Sequence, residues 1–161
     1  MVGLDSRPRR WIRAPARTSS QVLQIDTSTW KKTRQWQIWN ADHAFAYPSL
    51  ALNSADEVGI ALAWGGGGKF CASFAVGILG DFVVWFSEAS NATDATNSGA
   101  GSNGRWGDHV TCRQAHPDSA LFSGTGYAVL QKAPPAMGTQ YNPRYILFGR
   151  RPHGREPGPI G

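Results

Sequence analysis

From Val22 onward the chain is a succession of short apolar runs, each closed by glycine, proline, asparagine, aspartate or serine. Such runs read as β-strands separated by turns. VLQID (22–26) and WQIW (36–39) come first. AFAYPSLAL (44–52) carries Pro48 inside it, which confines it to an edge or irregular strand, because proline donates no ladder hydrogen bond. In EVGIALAWG (57–65), Val58, Ile60 and Leu62 share one face and Gly59, Ala61 and Ala63 the other. A face of small residues predicts the close approach of another sheet. GGGG (65–68) ends that run as a hairpin turn.

FAVGILG (74–80) and FVVWF (82–86) follow; the second is continuously apolar and predicts a strand buried on both faces. SEASNATDATNSGAGSNG (87–104) has no large apolar residue and predicts a long loop. DHVTCRQ (108–114) alternates again, HPDS (116–119) is a turn, and ALFSGTGYAVLQ (120–131) is a long strand. PPAMGTQYNP (134–143) reads as loop, RYILFG (144–149) as the last strand, and 150–161 as a turn-forming tail. No segment keeps apolar residues at helical spacing over three turns. The pattern predicts an all-β protein of about eight short antiparallel strands, in a sandwich, a barrel or propeller blades. A four-stranded blade takes roughly 40 to 50 residues, so residues 21–150 would make two.

Composition agrees with strands. The 161 residues suit one domain, and 19 Gly, 10 Pro and seven Trp against 17% charged residues describe a turn-rich, aromatic-rich β protein. The net charge of +5 is unevenly placed. Residues 1–34 hold eight basic side chains against Asp5 and Asp26, residues 35–149 five against eight acidic, and residues 150–161 add +2. Residues 1–20, rich in arginine and proline, therefore read as a disordered basic arm, and 151–161 as a C-terminal tail. A basic arm can meet nucleic acid or an anionic membrane surface. No basic–aromatic platform continues into the body and no nucleic-acid motif is present, which argues against a nucleic-acid partner. The N-terminal charges are not followed by the apolar stretch of a signal peptide, and no apolar run approaches the ~20 residues of a membrane span. Cys71 and Cys112 fit either a disulfide or two reduced thiols inside strands.

The motifs with chemical associations reduce to structure. WGGGGKF lacks the hydroxyl residue and the following helix of a phosphate loop. In FSGTGY, Ser123 sits inside a strand instead of on a strand-to-helix elbow. Asp42, His43, Asp81, Asp108, His109, His116 and Asp118 show no metal-ligand spacing, and neither a metal nor a cofactor is expected. RWGDHVTCRQ (105–114) is the richest stretch. Alternation sends Val110 and Cys112 to the core and His109, Thr111 and Arg113 to the other face. Trp106, Gly107 and Asp108 fit a tight turn whose amides bond the carboxylate. Arg105, Trp106, Asp108, His109 and Arg113 form the candidate binding groove; catalytic residues are not identifiable.

WNADHAFAYPSLALNS, EVGIALAWGGG, AVGILGDFVVW, RWGDHVTCRQAHPDSALFSGTGYAVL and RYILFGR occur in that order over residues 36–150. Together they resemble the C-terminal part of uncharacterised, mostly bacterial exported proteins with sialidase-like β-propeller folds. The resemblance implies an extracellular or cell-surface location. Propellers of that kind have roughly six or seven blades, so it also implies a fragment or a part of an assembly that self-associates or lacks blades. Sialidases hold a substrate carboxylate with three arginines and use a tyrosine nucleophile. Arg105, Arg113 and Arg144 and Tyr47, Tyr127, Tyr141 and Tyr145 are available, but no spacing brings them together, and the Asp-box repeat is absent. The expectation is a non-enzymatic scaffold or binding module for glycans or a protein partner. The alternatives are a glycoside hydrolase domain and an interaction subunit that docks through its basic termini.

Overall fold

The computed structural model describes residues 19–41, 43–66, 70–80, 83–86, 109–136 and 138–150. Among them are nine strands and no helix: β1 (Ser20–Asp26), β2 (Lys31–Ile38), β3 (Ala44–Leu52), β4 (Val58–Gly66), β5 (Phe70–Ile78), β6 (Val83–Phe86), β7 (Thr111–Gln114), β8 (Phe122–Gln131) and β9 (Thr139–Phe148). All pairings are antiparallel between sequence neighbours, in sheets of order β1-β2, β3-β4-β5-β6 and β7-β8-β9.

The described strands fall into three sheets, of two, four and three strands. The alternation in β4 explains why. Its large residues Ile60 and Leu62, with Phe45 and Trp64, pack against Val22, Trp36 and Ile38 of the first sheet. Ala61 on the opposite face, with Phe74, Val76 and Ile78, packs against Cys112, Phe122 and Phe148 of the third. The central sheet is thus covered on both faces, and the first hairpin closes one side as a layer of its own. Fully burying one such phenylalanine contributes about 1.5–3 kcal/mol. Phe45, Phe74 and Phe122 are each fully buried, and Phe122 stacks on Phe148 at 5.3 Å.

The small-residue face does admit another sheet, as its pattern predicts. A Cβ at Gly59 would lie 2.6 Å from the Phe122 ring, and one at Gly126 would lie 2.5 Å from Phe74. Polar contacts pin the same junction. Asn53 Nδ2 donates to Ala120 O at 2.7 Å, Ser54 N to Ser119 O at 2.9 Å, and Cys112 N to Ser49 Oγ at 3.0 Å. The Asn53 Oδ1 accepts from Ala55 N at 3.0 Å and Glu57 N at 2.9 Å, shaping the turn that makes those contacts.

Two prolines occupy strands. β3 is an edge strand, and its register shifts between Ala46 and Ser49, around Pro48 and the positive-φ residue Tyr47 (53°). That is the edge or irregular strand expected there. Residues 139–143, expected to be loop, instead extend β9: Leu130↔Gln140, Val129↔Tyr141, Ala128↔Asn142 and Tyr127↔Pro143 are paired. β9 is also an edge strand, so Pro143 can leave its missing N–H on the unpaired side. Lys31–Gln35, too polar to announce a strand, pairs with β1, and Ser20, assigned to the arm, opens β1 with its Oγ donating to Phe45 O at 3.3 Å. Residues 1–18, the whole of the expected loop 87–104 with residues 105–108, and the tail 151–161 lie outside the described residues.

Candidate functional site on the third sheet

β7, β8 and β9 present one face to the core and one outward. Register defines the outward face in rows: Thr111–Thr125–Tyr145 and Arg113–Ser123–Leu147, with Tyr127 paired to Pro143; Val129, paired to Tyr141, is buried. The glycines of β8 lie on the other side, where Gly124 and Gly126 face Val76 and Phe74. β8 can therefore lie close against the core while its tyrosine and threonine point away from it.

That outward face forms an open concavity of about 860 Å³. His109, Thr125, Tyr127, Tyr141, Arg144 and Tyr145 line it, together with Gly126 and Pro143. Tyr141 and Tyr145 are 54% and 63% exposed. Tyr127 meets Tyr141 edge-to-face at 5.3 Å and 88°, which fixes the orientation of both rings. The Thr111 and Thr125 hydroxyls hydrogen-bond at 2.6 Å. Tyr145 lies four positions beyond Tyr141 on the strand, roughly 13 Å along the sheet. The concavity thus offers aromatic faces, hydroxyls and an imidazole; Arg144 borders it from the Gly126 row, which alternation assigns to the opposite face of the sheet. No carboxylate stands among its described lining residues.

Of the residues singled out from sequence, Arg105, Trp106 and Asp108 lie outside the described residues. His109 is exposed and lines the concavity; Arg113 is exposed on the same sheet face, one row beyond Thr111. Val110 and Cys112 pack into the core as alternation requires. Cys112 is a free, buried thiol whose pKa is pushed up from 9.0 to about 12 by burial, a backbone hydrogen bond with Ala51 only partly offsetting it. His43 is elsewhere, edge-on to Trp64 at 4.7 Å, and the described residues contain no group of three or more candidate metal ligands.

The fold gathers what no spacing suggested: Arg144, Tyr127, Tyr141 and Tyr145 share one concavity. A signal existed for part of this. Strict alternation along 122–131 already puts Thr125 and Tyr127 on one face. Tyr141 was hidden because Pro143 disguised its segment as loop. A second, smaller groove of about 250 Å³ lies where the three sheets meet, with Arg34, Asp56, Glu57 and Arg150 on its walls and an Arg150 Nε–Glu57 Oε1 contact of 3.5 Å.

No family model, curated protein or solved structure matches this chain. The described residues form three stacked antiparallel sheets, without a helix, with an aromatic concavity on one outer face.

Proposed function

We propose that this chain is a non-enzymatic binding module, a segment of a sialidase-like β-propeller, and that the outer face of β7–β9 binds a saccharide. The observation that carries this reading is the open concavity with Tyr127, Tyr141 and Tyr145 beside Thr125, His109 and Arg144. Tyrosine supplies a rigid apolar face for sugar C–H groups and a hydroxyl at its rim, and binding sites typically combine such surfaces with a few polar groups. Two exposed tyrosines roughly 13 Å apart suit a short oligosaccharide better than one ring. A panel of immobilised oligosaccharides tests this. Selective retention in the micromolar to millimolar range, about −8 to −4 kcal/mol, is expected, weakened about tenfold in Tyr145→Ala. Release of reducing ends from a bound glycan would replace the binding reading with the hydrolase one.

A second reading rests on different residues. Leu147 is 52% exposed on this outer face, and Leu23 and Ile25 are 53% and 49% exposed on the first sheet. Apolar residues at both ends of a stack of sheets suit continuation of the stack by further blades or by another copy.

A further inference from the structure

We infer that the tip of the β1–β2 hairpin is a docking surface for an anionic lipid bilayer. The hairpin leaves the core after Val22 and Trp36: no residue from Leu23 to Gln35 is buried. At its tip Trp30 is 80% exposed and holds a φ of 54°, a left-handed conformation that bulky side chains seldom adopt. The turn that imposes this conformation is built. Asp26 Oδ1 accepts from Ser28 N at 2.8 Å, Ser28 Oγ at 2.7 Å and Thr29 N at 3.3 Å. Those bonds hold Asp26 as a carboxylate, the one acidic side chain of the hairpin, paired across the ladder with Lys31. Lys31, Lys32 and Arg34 outweigh it; Arg34 lines the groove that also holds Asp56 and Glu57, so the cations nearest the tip are Lys31 and Lys32, with Lys32 Nζ held toward Gln35 Oε1 at 2.8 Å. Leu23 and Ile25 add two exposed aliphatic side chains on one face of the same arm.

An indole, two aliphatic side chains and a cluster of cations on one projecting element are complementary to a membrane interface. Tryptophan partitions to the headgroup level, while lysines and arginines are drawn to negative lipid. A soluble polyanion would satisfy the cations alone and leave Leu23, Ile25 and Trp30 in water. A hydrocarbon boundary satisfies both sets, which selects the bilayer over a nucleic acid or an acidic protein. The surface lies on the first sheet, on the far side of the central sheet from the saccharide face, so it does not depend on that reading.

Flotation of the full chain with vesicles of phosphatidylcholine, alone or with phosphatidylglycerol, tests this. Binding is expected only to the anionic vesicles, falling roughly tenfold in Lys31→Gln/Lys32→Gln and comparably in Trp30→Ala. All three side chains are exposed, so circular dichroism should confirm an unchanged fold. Equal binding to neutral vesicles, absence of binding to either, or binding that survives both variants would overturn the inference. Loss in the lysine variant with Trp30→Ala unaffected would also overturn it, showing a polyanion contact instead of an interfacial one.

Discussion

A Cβ at Gly126 would sit 2.5 Å from Phe74, and one at Gly59 2.6 Å from Phe122. Both rings are fully buried and have nowhere to go. Gly126→Ala and Gly59→Ala should therefore each destabilise the fold by about 1–3 kcal/mol, the usual cost of overpacking. In a double-mutant cycle read by chemical denaturation, Phe122→Leu should recover part of the Gly59→Ala loss, because the two sites share one contact. Cys112 makes a prediction of opposite sign to a surface group. Its thiol ionises near 9.0 in the unfolded chain but only near about 12 in the fold. The unfolded state thus sheds its proton first, so stability declines as pH rises from about 9 toward 12. Cys112→Ala should lower stability overall yet flatten that alkaline slope. Asp26 behaves the other way. Hydrogen bonds from Ser28 and then Thr29 hold its carboxyl below 3.8, so its contribution is present at neutral pH and lost as pH falls through the acidic range. Asp26→Asn should remove that acid dependence from the hairpin's unfolding.

Strand positions were largely written in the chain, because alternation and turn residues report local backbone geometry directly. Residues 44–52 coincide with β3, and 57–65 and 120–131 fall within a residue or two of β4 and β8. What stayed illegible were elements whose stability comes from pairing instead of composition. Lys31–Gln35 is polar throughout but gains its ladder from β1. Thr139–Pro143 ends in a proline that suits an edge and nothing else. Sheet membership was equally hidden, since period-2 alternation names two faces without saying which strands share a ladder. The candidate site suffered for the same reason. His109 and Arg113 were readable from β7 alone, whereas Tyr141 and Tyr145 join them only across β8. Tyr145→Ala removes a 63% exposed ring and should change stability by less than about 0.5 kcal/mol while weakening saccharide retention, which separates a binding role from a packing one.

As a whole, the described residues form three layers with a doubly covered centre and two open flanks. Leu23 and Ile25 mark one flank; Tyr141, Tyr145 and Leu147 mark the other. The propeller reading predicts that these flanks associate as concentration rises. Sedimentation velocity should show a concentration-dependent species that Leu147→Asp abolishes, and a strictly monomeric chain would count against it. The saccharide face is tested most directly by backbone amide NMR of the full chain, titrated with an oligosaccharide retained in the panel. The predicted result is a saturable shift confined to Thr125, Tyr127, Tyr141, Arg144, Tyr145 and their strand neighbours, with the sugar unaltered at the end of the titration. Shifts centred instead on the groove of Arg34, Glu57 and Arg150, or a cleaved sugar, would contradict it.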